Sequence, residues 1–84
     1  MTRKTQQLSE LGLQVSYLEA GQGMPLVLIH GVGMNAEAWF PQMDVLSRYF
    51  RVIALDMPGH GESSGFRHPV TLEDYVQWLA LFLQ

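Results

Sequence analysis

Two runs of four apolar residues, Leu26–Ile29 and Val52–Leu55, constrain this chain more than anything else in it. Each is short and closed by Gly, His or Asp, the pattern of a strand buried on both faces. Between them, Asn35 is placed to cap a first turn over Ala36 to Trp39, and Pro41 suits a first helical position. A helix is therefore expected from about Pro41 to Tyr49, with Met43, Val45, Leu46 and Tyr49 as its apolar stripe. Strand, helix and strand over residues 26–56 make a βαβ unit, whose strands run parallel through a right-handed crossover.

The flanks are less regular. Residues 1–7 are a polar lead-in and are expected to fray. Residues 8–20 form an antiparallel strand region: Leu11, Leu13, Val15 and Tyr17 alternate with polar Gln14 and Ser16, and Gly12 marks a bend after a shorter strand near Leu8. Residues 57–70 form a Gly/Pro/Ser/His loop, too long for a plain connector. Thr71 and Asp74 form a variant capping box that opens a helix over 71–84. Leu72, Tyr75, Val76, Leu79 and Leu83 share one face of it, and Trp78, Leu81 and Phe82 widen that face almost all the way round. The expected fold class is α/β in a single unit.

Composition narrows the function. Eight acidic residues against five Lys and Arg leave no basic patch, so nucleic-acid binding through phosphates is not expected. The longest apolar run, Trp78–Leu83, is too short to cross a bilayer, and Met1–Glu10 carries no signal-peptide stretch. A cytoplasmic protein with no membrane partner is expected. Without cysteine there is no disulfide, thiolate zinc site or thiol nucleophile. His30, His60, His68 and Asp56 lack metal-ligand spacing, so no metal is expected. The apolar share, 48%, is high for 84 residues that cover only their own core.

Three motifs compete for the same residues. Gly31-Val32-Gly33-Met34-Asn35-Ala36 fits the G-x-G-x-x-G/A dinucleotide fingerprint, with Asp56 closing the next strand where a ribose acid would sit. Against it, His30 separates strand from glycine, and Pro41 interrupts the helix that should leave the phosphate site. Gly61-Glu62-Ser63-Ser64-Gly65 fits G-x-S-x-G, yet no apolar strand runs into it and no helix leaves it, which favours Ser63 as a turn serine. The third pattern uses the whole span: His30-Gly31-Val32-Gly33, Trp39, and Val52 through Asp56-Met57-Pro58-Gly59-His60-Gly61-Glu62-Ser63.

That joint pattern, over about residues 11 to 84, resembles the opening of an α/β-hydrolase. The resemblance implies that the strand at 26–30 is the third of eight and the strand at 52–56 the fourth, in the order 1-2-4-3-5. It implies that the Val32 N–H is an oxyanion-hole donor, with Gly31 and Gly33 letting the backbone turn and approach a substrate. His30 would support that loop, Asp56 would be a structural acid fixing Gly59-His60-Gly61, and Trp39 could touch a substrate pocket. The family's triad follows in the order Ser, Asp/Glu, His, so nucleophile, acid and base are all expected beyond Gln84. The chain is then the first part of a larger fold, inactive alone and not a stable monomer, with strand 26–30 as a free edge that invites self-association. Dehalogenases of the family tend to have Asn at the position of Val32, and epoxide hydrolases Pro near Gly33. By elimination, a serine esterase, a lipase-like enzyme or a carbon–carbon bond hydrolase is favoured, with serine-esterase-like acyl hydrolysis of a small molecule first among them and no cofactor. A dinucleotide-binding βαβ module and a non-catalytic remnant remain as alternatives.

Overall fold

The computed structural model describes residues 1–84. Four strands, β1 (Thr2–Leu8), β2 (Leu13–Ala20), β3 (Pro25–Leu28) and β4 (Arg51–Leu55), form one sheet in the order β1-β2-β4-β3. β1 pairs antiparallel with β2, β2 antiparallel with β4, and β3 parallel with β4. A 3₁₀ turn (Ala36–Trp39) and α1 (Phe40–Leu46) connect β3 to β4, and α2 (Leu72–Leu83) closes the chain. No helix is long and apolar enough to cross a membrane.

Side-chain alternation along β4 assigns the two faces of the sheet. Ile53 and Leu55 join Leu8, Leu13, Val15, Trp78 and Phe82 under α2. Val52 and Ala54 join Leu18, Ala36 and Met43 under the 3₁₀ turn and α1. β4 is thus buried on both faces, as an apolar run predicts. β3 carries a similar run but is only half-buried, because it lies at the sheet edge with one neighbour.

The expectation for the polar lead-in needs correction. Residues 2–8 do not fray: they form a full strand whose register with β2 runs from Thr2↔Glu19 to Leu8↔Leu13. Its polarity reflects an edge position, where the ladder and charged contacts hold the chain in place of apolar burial. The bend expected at Gly12 is present as part of the β1–β2 turn, with the Leu11 N–H bonded to the Leu8 carbonyl and the Gly12 N–H to that of Ser9.

The helices are phased differently from their periodicity. α1 ends at Leu46, and of its expected stripe Met43 is fully buried while Val45 and Tyr49 are exposed. In α2 the capping box forms as expected, Thr71 accepting from the Asp74 N–H and Asp74 from the Thr71 N–H. Its buried residues are Trp78 and Phe82, whereas Leu72, Val76 and Leu83 face solvent. A helix apolar on nearly every side is not phased by period, and the largest rings take the sheet. Trp78 stacks on Phe82 at 6.4 Å, and Phe82 meets Tyr17 edge-on at 5.4 Å.

Candidate functional site

Parallel β3 and β4 end on the same side of the sheet, and the loops leaving their carboxyl ends meet there. This is where open α/β sheets place ligands. His30 follows β3, and Asp56 follows β4.

His30 is 7% exposed and links the two loops. Its Nε2 accepts the Met57 N–H at 3.0 Å, and its Nδ1–H donates to the Gly31 carbonyl at 2.7 Å. His60 returns the link: Nε2 accepts the Gly33 N–H at 3.0 Å, and Nδ1–H donates to the Pro58 carbonyl at 3.0 Å. These partners assign the same neutral tautomer to both rings, whose centroids lie 5.1 Å apart. With both nitrogens of each ring engaged, the histidines act as clasps between backbone segments.

Asp56 is fully buried. Its Oδ1 accepts the Ala36 N–H at 2.8 Å, and Oδ2 accepts the Glu62 N–H at 3.0 Å and Arg3 Nη1 at 2.8 Å. Burial pushes the carboxyl up, but the Glu62 and Ala36 amides together with the Arg3 guanidinium outweigh it, leaving Asp56 below the usual carboxylate range. Gly61 allows the close approach of this carboxylate. It sits at φ +52, and a Cβ there would lie 2.3 Å from the Asp56 carboxylate carbon. Gly59 donates its N–H to the Ser64 carbonyl in the same loop.

Ser63 is buried and committed to the backbone. Its Oγ donates to the Asp56 carbonyl at 2.6 Å and accepts the Ser16 N–H at 2.8 Å. No residue other than glycine has positive φ, so Ser63 lacks the strained geometry of a nucleophile elbow. The G-x-S-x-G match here is a turn.

Val32 stands in the middle of this frame. The residue is 90% exposed, and its N–H has no acceptor within the protein. The flanking backbone is held at Gly33 by His60 and at Ala36 by Asp56. Of the two glycines beside it, Gly33 alone is in the left-handed region, at φ +82. Gly31 is not, and a Cβ there would meet only Met34 Sδ at 3.6 Å. A cavity of about 100 Å³ opens beside Val32, lined by His30, Gly31, Met57, His60 and Tyr75. Trp39 borders a second hollow on the other side of the loop, with Met34 and Gln42, and its indole N–H is buried without a partner.

The dinucleotide alternative does not fit this geometry. The fingerprint leads into a single 3₁₀ turn, and α1 starts only at Phe40 with Pro41 in its first turn. Asn35 occupies the N-cap position of that turn without a side-chain bond. Asp56 takes the Ala36 N–H, which is a further correction.

Sequence reasoning missed Arg3, which reaches Asp56, Ser16, Glu37 and Glu62 from the strand expected to fray. A signal was available: an acid closing a buried strand needs a countercharge, and the chain has only five cations to supply it.

Known proteins resemble this chain in sequence and in fold. Residues 24–84 match the family described as alpha/beta hydrolase fold. The chain is 53% identical over 78 residues to (E)-2-((N-methylformamido)methylene)succinate hydrolase from Acinetobacter baylyi, covering 93% of this chain and 29% of that protein. It is 45% identical over 60 residues to pimeloyl-[acyl-carrier protein] methyl ester esterase from Vibrio cholerae, covering 71% and 23%. The crystal structure of E-2-(acetamidomethylene)succinate hydrolase superposes with a TM-score of 0.84 at 26% identity, covering 98% of this chain and 31% of that one. The chain spans less than a third of each of these proteins.

Proposed function

The chain belongs to the α/β-hydrolase fold family, and from that premise we propose that residues 1–84 act as the N-terminal part of an enzyme that hydrolyses an acyl bond in a small molecule. Nucleophilic attack on a carbonyl places negative charge on its oxygen. A backbone N–H already aimed at that oxygen stabilises it without reorganising, by about 3–4 kcal/mol, or roughly 10²–10³ in kcat. The single observation that carries this reading is the Val32 N–H, free of any acceptor on a loop held before it at Gly31 by His30 and after it at Gly33 by His60. His30, His60 and Asp56 hold the loop and do no chemistry on the substrate.

The nucleophile, acid and base lie outside these 84 residues in this reading, and the chain alone is inactive. The commitment of the Ser63 hydroxyl to two backbone groups supports this. So does the chain's coverage of only 29% and 23% of two relatives named as hydrolases. The formamido and acetamido groups in two of the relatives' names are acyl–nitrogen units, and a methyl ester is an acyl–oxygen unit. An amide or ester of a small carboxylic acid is thus the favoured substrate class, with no cofactor.

A chimera tests the proposal: residues 1–84 replace the matching segment of the Acinetobacter baylyi relative. The chimera is expected to turn over that enzyme's substrate, and Val32→Pro, which deletes the N–H, to lower kcat about 100-fold or more. The 84-residue chain alone is expected to show no ester turnover above a Ser63→Ala control. Turnover by the chain alone, or a Val32→Pro chimera with unchanged kcat, would overturn the reading; the first result would restore Ser63 as a nucleophile.

A further inference from the structure

The family match begins at residue 24, yet the carboxylate that fixes the candidate site is held by a residue well before it. Arg3 Nη1 is shared between Asp56 Oδ2 at 2.8 Å and Ser16 Oγ at 2.7 Å. Nη2 meets Glu37 Oε2 at 3.0 Å, and Nε meets Glu62 Oε2 at 3.0 Å. One guanidinium therefore touches β2, the 3₁₀ turn, the end of β4 and the loop after it.

These contacts are unequal. The Glu37 and Glu62 side chains are 43% and 65% exposed, so their ion pairs are screened and weak. Asp56 is 0% exposed, and Arg3 is the only side-chain cation on it. Without Arg3 the carboxylate keeps only two backbone amides for a full buried charge, and relieving that means moving toward water. Both amides position the loop that carries Val32. Ala36 begins the turn that ends the loop, and Glu62 anchors the segment from which His60 holds Gly33.

We propose that Arg3 is a positioning residue for the Val32 loop: by pairing with Asp56 it fixes the Ala36 and Glu62 amides, and through them the direction of the Val32 N–H. The proposal rests on the hydrolytic reading for its catalytic consequence, but not for its structural one. A lysine supplies charge without the planar fork, so Arg3→Lys restores part of the effect and Arg3→Met none.

Hydrogen exchange on the chimera reads the structural link directly. Arg3→Met is expected to speed exchange at Ala36, Glu62 and Gly33 by about 10-fold or more, with Ile53 and Ala54 changing less than about twofold. Leu8→Ala, which removes a buried β1 side chain without touching the network, is expected to raise all amides together. In the chimera, Arg3→Met should lower kcat about 10-fold with KM within about threefold, and Arg3→Lys should fall between. Unchanged exchange at Ala36 and Gly33, or a uniform rise like that of Leu8→Ala, overturns the proposal. A kcat that responds to Val32→Pro but not to Arg3→Met overturns Arg3's role alone. A kcat indifferent to Val32→Pro, with loop exchange still raised by Arg3→Met, overturns the hydrolytic reading and leaves the Arg3 link standing.

Discussion

Replacing Gly61 with alanine isolates the contact on which the site is built. Two costs arise, and the structure separates them. The first is backbone strain: at φ +52 an L-residue loses about 1–2 kcal/mol. The second is collision, because the new Cβ would sit 2.3 Å from Asp56 Cγ and Oδ1 and 2.5 Å from Oδ2. The carboxylate must move and surrender at least one bond, to Ala36, Glu62 or Arg3. A hydrogen bond to a charged group contributes about 1.5–3 kcal/mol. The sum, about 2.5–5 kcal/mol, is a large share of the stability of an ordinary domain. Gly12→Ala supplies the control: φ is +64, nothing lies within 4 Å of its Cβ position, and only the strain of about 1–2 kcal/mol is expected. Urea titration of both variants should separate their midpoints by about 1 M or more. In an Asp56→Ala background the cost of Gly61→Ala should shrink to that of Gly12→Ala. Equal midpoints for the two alanine variants in the wild-type background would refute the collision argument.

Other outcomes follow from the same contacts. Trp78→Ala should cost about 3–5 kcal/mol, and Val76→Ala less than about 0.5, in thermal or urea unfolding; the reverse order would restore the face of α2 that periodicity suggests. The Asp56 carboxyl lies below its ordinary range, so its stabilisation is complete above about pH 4 and is lost as pH falls through its folded value. Asp56→Asn should thus be less stable at pH 7 by about 1–3 kcal/mol, with the gap closing in acid; a gap that widens in acid contradicts the assignment. β3 has one neighbour, so the 84-residue chain should self-associate and Ile29→Lys should reduce this in sedimentation; a monodisperse wild-type chain removes that expectation.

Much of the fold was legible where a residue's role is local. The Thr71/Asp74 cap, the two apolar runs and the parallel pairing of β3 with β4 depend on neighbours in sequence or on simple alternation. Ser63 as a turn residue was legible in its flanks, which lack an elbow's strand and helix; the bonds that His30 and His60 make to the backbone across the two loops were not. What stayed hidden is set at long range. β1 is polar because β2 and Arg3's partners hold it, not because it is loose. The face of α2 is chosen by Phe82 meeting Tyr17 edge-on and by Trp78 stacking on Phe82, contacts that no helical period contains. Gly31 and Gly33 look equivalent on paper, but the turn requires only Gly33 to be a glycine.

The span of the Arg3–Asp56 pair, 53 positions, also has a consequence in time. During synthesis Arg3 is made before its carboxylate partners, and Glu62 comes 59 positions later, about 3–12 s afterwards at ordinary ribosomal rates. The β1–β2 hairpin can zip on its own from its tight turn, since its pairing is sequential. The guanidinium must then wait for β4 to dock before any carboxylate on its loop side can reach it. Early folding steps therefore meet residue 3 only through its hairpin pairing and its bond to Ser16, and the loss of its bond to Asp56 would surface only when the loop after β4 tries to close.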